Sequence, residues 1–423
     1  MNKIVFFNLP GASGHINPTV GVVKELINSG VEVIYYAGED SREKFEKIGA
    51  TFRNYETWFD YSHNAEVGTD ILTMAFAEID LTLACIEPLL EITRQDQPDC
   101  IIYDPCCVWG KYIGEALKLP TVSSITTLVS TPWLLLCDWR LSLTIVASLL
   151  KGIPKITWAR KIGIELMAKI GAEFRGIFYH IFDFFACVGE LNIVFNSKSY
   201  QPFHNKLDGD FRFVGPSIPE NRDAVNMDFS FIKGKQVIYV SLGTLHNQDI
   251  NFYKNIITAF KEQEDSHVIM SVGKQTDITE LGPIPTNFTV ENFVPQLDVL
   301  KKTDLFITHG GMNSLNEAMY FGVPVIILPQ QVEQAFNGRR LKKMGVAKIL
   351  NSKKTTPEII KQTAQEVLSN PSYKTSAEDY SVELRDGGGY VAAADAILRY
   401  VYGTEYSKTL QQTQNTPTPE AVY

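Results

Sequence analysis

Asp304-Leu-Phe-Ile-Thr-His-Gly-Gly-Met-Asn-Ser-Leu-Asn-Glu317 is the stretch that decides how this chain folds. Asp304 to Thr308 is a short apolar run of strand type, and Leu315 to Phe321 has helical spacing. The residues between them therefore form a strand-to-helix turn. Gly310 and Gly311 let backbone come close to a ligand, and the amides that follow belong to a helix N-terminus carrying partial positive charge. Turns of this kind bind anions, and phosphate is the natural guest.

The same alternation spreads outward. In the second half, strand-type runs at Gln236–Leu242, His267–Val272, Thr289–Phe293 and Val323–Leu328 flank helical patterns such as Asn251–Glu262. The first half alternates likewise: strand Lys3–Asn8, helix Pro18–Ser29 capped by Asn17, strand Val31–Ala37, a long helical region around Asp70–Thr93, strand Asp99–Tyr103, helix Gly110–Leu117 and strand Thr121–Thr126. Repeated βα units imply parallel sheets with helices on both faces, and ligands beyond the carboxyl ends of the strands. The fold class is α/β, with two similar domains facing across a cleft. Residues 1–215 form the first and 231–386 the second, with a polar linker at 216–230. A helix over 387–402 returns to the first domain, and 403–423 is a disordered tail. Between Ser130 and Glu190 the pattern becomes amphipathic helix rich in aromatics: Trp133, Trp139, Trp158, Phe174, Phe178, Tyr179, Phe182, Phe184 and Phe185. These side chains either pack core or form a greasy wall for an apolar ligand.

Composition narrows the classes. With 423 residues the chain exceeds a single typical core. A net charge of −9 argues against a nucleic-acid or anionic-membrane partner. Six cysteines lack any Cys-x-x-Cys spacing, and the first strand leaves no room for a secretion signal, so free thiols and a cytoplasmic location are expected. The longest apolar stretches are interrupted by charges, so no stable membrane insertion is expected.

A second chemical candidate is the loop Pro10-Gly-Ala-Ser-Gly-His-Ile-Asn-Pro18. It places His15 at the mouth of the first sheet beside a helix N-terminus, which disfavours imidazolium. Asp104 ends a later strand of that sheet and is within conceivable reach, although Asp104-Pro105 is also an ordinary turn start. Asp208-Gly-Asp210 matches a metal-binding Asp-x-Asp pattern but reads as a hairpin turn. Ser314 and Glu317 are spaced as a capping box, a structural use that can coexist with ligand binding.

Phe293-Val-Pro-Gln296, His309-Gly-Gly-Met-Asn-Ser-Leu-Asn-Glu317, Gly322-Val-Pro324 and Pro329-Gln-Gln-Val-Glu-Gln334 together resemble the nucleotide-sugar signature of UDP-glycosyltransferases that modify small molecules. The kin they point to are bacterial enzymes of macrolide and flavonoid type. The resemblance extends to Asn8–Pro18 and Asp104, leaving Ser130–Glu190 outside it. It implies two Rossmann-like domains in the GT-B arrangement, with the acceptor bound by the first and the donor by the second.

Carried over residue by residue, Phe293 stacks on uracil where plant relatives have tryptophan. Val294 meets the base edge through its backbone, and Gln296 closes the base site. His309 donates to the diphosphate beside Gly311, while Asn313 and Ser314 hold its oxygens. Glu317 accepts both ribose hydroxyls, Glu333 and Gln334 bind sugar hydroxyls, and Ser241 and Thr244 touch phosphate or sugar. His15 is the general base, oriented by Asp104. Inverting, metal-independent transfer of a hexose from a UDP-sugar to a hydrophobic small molecule follows, with no cofactor and with a monomer or weak dimer expected. Glu333 would repel a glucuronate, which favours glucose.

Competing readings are weaker. Gly11-Ala-Ser-Gly14 with Glu39 lacks the full Gly-x-Gly-x-x-Gly of a dinucleotide oxidoreductase, and no Gly-x-Ser-x-Gly elbow marks a serine hydrolase. A nucleotide-sugar epimerase or a non-catalytic nucleotide-sugar-binding protein of the same build remains as the alternative.

Overall fold

The computed structural model describes the whole chain except residues 1, 56–70, 132–137, 139, 141, 144, 145, 148, 149, 151–155, 172–186, 220, 221, 223–226, 244–248, 352, 353 and 404–423, together with the side chains of 71–77, 156 and 159. It divides into two compact units. The first comprises Met1–Ser217 with Gly388–Tyr423, the second Ile218–Gly387.

Unit 1 is built on a seven-stranded parallel sheet: β1 Lys3–Phe7, β2 Glu32–Ala37, β3 Thr51–Asn54, β4 Cys100–Tyr103, β5 Thr121–Ile125, β6 Leu191–Val194 and β7 Asp210–Phe213. The spatial order is β3-β2-β1-β4-β5-β6-β7. β1 is apolar without alternation because both faces are covered. Ile4 and Phe6 join a core with Val23 and Leu26 of helix Ser13–Asn28 and with Ala393 and Ile397 of helix Gly389–Tyr402. Val5 and Phe7 face the opposite way, into a core with Leu89, Trp109 and Tyr112.

The helix Gly389–Tyr402 belongs to unit 1 although the preceding residues belong to unit 2. Its approach to helix Ser13–Asn28 depends on Gly21, where an added Cβ would come within 2.6 Å of the Tyr390 ring. Replacing Ile397, 1% exposed, by alanine is expected to cost about 2–5 kcal/mol.

Unit 2 repeats the plan with six parallel strands: β8 Gln236–Ser241, β9 Ser266–Ser271, β10 Phe288–Glu291, β11 Leu305–Thr308, β12 Val325–Ile327 and β13 Ala347–Ile349. Their order is β10-β9-β8-β11-β12-β13. In both units the strand order reverses direction at one seam, β1/β4 in the first and β8/β11 in the second. Ligand sites of doubly wound sheets form outside the strand ends at such a seam.

Several local expectations change. The first helix begins at Ser13, so Pro18 lies inside it and Asn17 is not its cap. His15 and Ile16 both donate to the Ala12 carbonyl, and the Asn8 side chain donates to the His15 carbonyl. The extra turn is held by burial of Ile16 against β1, which outweighs the local proline signal.

The helix after β11 begins at Met312 with Gly311 as its N-cap, so Ser314 and Glu317 are not a capping box. Asn313 and Ser314 look like cap residues in the sequence, yet the Asn313 side chain donates down the helix to Glu317 at 2.8 Å. The capping box lies instead at Gln331 and Gln334, opening helix Val332–Lys343. Asp208-Gly209 does turn the chain, with Gly209 at φ +118°, but into strand β7 parallel to β6 rather than into a hairpin. Of the aromatic segment, Trp158 is on a described helix and half-exposed, whereas Trp133, Trp139, Phe174, Phe178, Tyr179, Phe182, Phe184, Phe185 and the tail lie outside the described residues. Among the described residues no helix is long and apolar enough to cross a membrane.

Candidate active site

In unit 1, Phe7 of β1 pairs in register with Tyr103 of β4, so the residues leaving these two strand ends are neighbours. His15 sits in the first turn of the helix after β1, and Asp104 is the residue following β4. Their side chains meet: His15 Nδ1 lies 2.7 Å from Asp104 Oδ2. A proton on Nδ1 donates to the carboxylate, which leaves Nε2 with the lone pair that can accept a proton.

The carboxylate is itself immobilised. Its Oδ1 accepts the Cys106 backbone N–H at 2.9 Å, while the Asp104 N–H donates to the Phe7 carbonyl at 2.9 Å. Thr126 Oγ1 lies 3.3 Å from His15 Nδ1. The Asp104 side chain is 1% exposed and that of His15 25% exposed. A buried anion thus fixes the tautomer and would stabilise the cation formed when the ring takes a proton.

Two groups near this dyad were missed by sequence reasoning. Glu78, from helix Ile71–Asp96, is buried, and its Oε2 has no hydrogen-bond partner. Burial first, and the negative charge of Asp104 second, push its carboxyl well above the usual carboxylate range. Its carboxyl is within hydrogen-bonding reach of the Cys106 thiol, and burial pushes that thiol and the Cys107 thiol well up. Both cysteines are therefore thiols, not nucleophilic thiolates. A signal for Glu78 did exist: it heads the buried stripe Glu78, Thr82, Cys85, Ile86 and Leu89 of one helix.

In unit 2, Ser241 at the end of β8 pairs in register with Thr308 at the end of β11, and His309 follows. The imidazole of His309 is seated between two glycines. A Cβ on Gly243 would come within 2.6 Å of the ring, and one on Gly311 within 2.5 Å of Nε2. Gly243 also has φ +80°, which only glycine adopts at little cost. The helix Met312–Tyr320 starts here, placing its first-turn amides beside His309. Asn313 and Ser314 lie in that first turn. Ser241 Oγ accepts the Gly243 N–H at 3.3 Å, while Thr244 lies outside the described residues.

Glu317 is the centre of a buried network. It is 0% exposed, and among the described residues three side chains donate to it: Arg222 to Oε1 at 2.5 Å, Asn313 to Oε1 at 2.8 Å and Gln296 to Oε2 at 2.6 Å. Gln296 in turn accepts from Tyr239 at 3.1 Å and lies 3.4 Å from Ser314 Oγ. A carboxylate has roughly four lone-pair positions, so three are filled and a diol cannot be bound bidentately without displacing a donor. Arg222, buried in the ion pair, is a third missed residue; in sequence it is one charge within a polar linker.

Phe293 is 51% exposed and projects beside Val294, which is buried. An exposed aromatic face held by a buried neighbour is a ready stacking platform. Gln334 is buried, and its Oε1 caps its own helix by accepting the N–H groups of Gln330 at 2.8 Å and Gln331 at 3.1 Å. Glu333 is exposed and accepts from Asn337 at 3.3 Å. Of the expected donor-site residues, the structure thus gathers Gln296, Asn313, Ser314 and Glu317 into one network. His309 and Gly311 adjoin it, and Gln334 has a capping role of its own.

The family described as erythromycin biosynthesis protein CIII-like, C-terminal domain, matches residues 257–386. A Bacillus subtilis protein named uncharacterized UDP-glucosyltransferase YojK is 32% identical over 407 residues, 95% of this chain and 98% of its own length. NDP-glycosyltransferase YjiC of Bacillus subtilis is 32% identical over 401 residues, 94% of this chain and 97% of its own. A solved structure described as the glycotransferase of kitacinnamycin has a TM-score of 0.81 at 24% identity, covering 95% of this chain and 99% of that one, a likeness of fold. With two parallel-sheet Rossmann-like units, a glycine-seated histidine at a helix N-terminus and relatives alike along nearly the whole chain, this protein belongs to the UDP-glycosyltransferases of the GT-B fold and is a glycosyltransferase.

Proposed function

We propose that this enzyme transfers glucose from UDP-glucose to a hydroxyl of a hydrophobic small molecule, of macrolide or polyphenol type, with inversion at the anomeric carbon. The observation that carries the proposal is the 2.7 Å contact between His15 Nδ1 and the buried Asp104 carboxylate. It leaves Nε2 to accept the acceptor's hydroxyl proton as the oxygen attacks. The bond from the anomeric carbon to the leaving UDP oxygen breaks in the same step. His309 and the amides of helix Met312–Tyr320 take up the charge that develops on the diphosphate.

Phe293 stacks on uracil beside the Val294 backbone. Glu317 accepts both ribose hydroxyls, one of them in place of a present donor, and Gln296 helps close the base site. Glu333 meets neutral sugar hydroxyls and disfavours glucuronate. A UDP-glucosyltransferase among the relatives supports the donor, and the erythromycin-related family supports a macrolide-like acceptor. No divalent metal takes part in this chemistry, so turnover should survive chelator treatment. The test is a panel of UDP- and TDP-sugars with one flavonoid and one macrolide, following nucleotide release and product mass. Glucoside formation from UDP-glucose is expected. Turnover with TDP-sugars alone would overturn the donor assignment, and wild-type turnover by a folded His15→Ala variant would overturn the base.

A further inference from the structure

The groups around the dyad make a second kind of site. One ligand atom each from His15, Asp104 and Cys106 lies within 4.8 Å of the others: an imidazole nitrogen, a carboxylate oxygen and a thiol sulfur. Tetrahedral coordination at about 2.0–2.3 Å sets ligand atoms about 3.3–3.7 Å apart, so the longer edges of the triangle close and the 2.7 Å edge between His15 Nδ1 and Asp104 Oδ2 opens. A second observation lies next to Cys106. Glu78, 8% exposed, has its carboxyl within reach of the Cys106 thiol and its Oε2 without a partner. A buried oxygen left in this state costs about 1–3 kcal/mol, a penalty that coordination of a cation would remove.

We propose that His15, Asp104 and Cys106 form a binding site for one thiophilic divalent cation, Zn2+, that the Glu78 carboxyl beside Cys106 moves in as the fourth ligand, and that occupancy switches the transferase off. The ligand set selects the metal: one sulfur, one nitrogen and two carboxylates suit zinc and exclude magnesium, which demands oxygen ligands in octahedral geometry. The cation enters where the His15 ring is exposed.

Protons balance as follows. The Cys106 thiol and the Glu78 carboxyl each release one proton to solvent. The imidazole proton moves from Nδ1, where the metal binds, to Nε2. The ring stays neutral, but Nε2 becomes a donor and can no longer accept a proton from the acceptor hydroxyl. Binding stands on the side chains alone, whereas inhibition rests on the proposed role of His15 as base.

The test titrates metal-free, full-length protein with Zn2+ against a chromophoric zinc indicator, with a parallel transferase assay. One equivalent is expected to bind, unaffected by excess Mg2+ and removed by chelator. Cys106→Ala and Glu78→Gln should each weaken it by at least about tenfold, in keeping with losses at metal sites generally. Co2+ supplies a readout independent of affinity: a thiolate-to-metal charge-transfer band in the near-ultraviolet, present in the wild type and in Glu78→Gln, absent in Cys106→Ala. Thermal unfolding checks that both variants fold. Absence of stoichiometric zinc, or equal affinity in Cys106→Ala, overturns the site. Stoichiometric zinc at Cys106 with undiminished transfer keeps the site and overturns the base assignment.

Discussion

Each sheet carries a histidine beyond the carboxyl end of a strand bordering its order-reversing seam, His15 in the helix after β1 and His309 directly after β11, and their surroundings give the two rings different chemistry. His15 lies 2.7 Å from the carboxylate of Asp104, an arrangement that stabilises an added proton. His309 lies 3.4 Å from the Thr308 hydroxyl and is seated between Gly243 and Gly311 at a helix N-terminus, where positive backbone charge already favours an anion. Topology supplies the position, and neighbours supply the function. Under the proposed function, one site takes a proton and the other receives negative charge.

The comparison breaks hardest at His15. Replacing it by alanine should lower kcat/KM by about a thousandfold, within the span of general-base losses, while UDP-glucose affinity stays within about twofold. Asp104→Asn should fall nearly as far, because the amide no longer selects the Nδ1 proton. Steady-state rates combined with donor titration separate this from a binding defect. Equal losses in affinity and rate would mean that His15 is not confined to proton transfer.

The second site differs in being built on a buried ion pair. Removing Arg222 leaves Glu317 buried with two amide donors among the described residues, so Arg222→Ala should destabilise the protein by about 3 kcal/mol in denaturant unfolding. The double variant Arg222→Met/Glu317→Leu should recover most of that stability yet lose donor binding. Stability unchanged in Arg222→Ala would show that the pair contributes little. Next in size, His309→Ala should lower kcat by about a hundredfold, as expected for loss of one group stabilising the leaving charge. Gly311→Ala should do much the same without touching the imidazole chemically, since its Cβ would come within 2.5 Å of Nε2.

These contrasts also mark what a reader of the sequence can and cannot see. Strands such as β1 and β11 are legible because burial on both faces makes them continuously apolar, and two glycines after a strand announce a turn open to a ligand. The starts of helices Ser13–Asn28 and Met312–Tyr320 are not, because Pro18, Asn313 and Ser314 carry local signals that tertiary contacts overrule. Arg222 is less legible still. A charge in a polar linker looks solvated, and its pairing with Glu317 spans 95 residues of sequence. Glu78 stands between, an acid at a core position of a helix, visible as an anomaly but not as a neighbour of Asp104.

That anomaly gives the first sheet a pH dependence. Glu78 has a folded pKa raised well above 4.5, so between about pH 4.5 and that folded value the native state binds more protons than the unfolded state. Stability therefore falls as pH rises through this window, by up to about 1.4 kcal/mol per pH unit. Glu78→Gln removes the slope. Its melting temperature should be near that of the wild type at pH 4.5 and should gain on it as pH rises. Parallel wild-type and variant curves across the window would mean that Glu78 ionises in the fold.

The smallest effect belongs to Phe293, and it sharpens the comparison because it should leave stability and proton transfer alone. A side chain already 51% exposed contributes little to the core, so Phe293→Ala should shift unfolding by no more than about 0.5 kcal/mol. If the ring stacks on the donor's base, its loss costs about 1 kcal/mol of donor binding, a rise of roughly fivefold in KM for UDP-glucose with kcat unchanged. Phe293→Trp should lower KM below the wild-type value by offering a larger face. A matching drop in kcat, or a rise in acceptor KM instead of donor KM, would remove Phe293 from the nucleotide site and leave the second histidine's turn as the donor site's principal anchor.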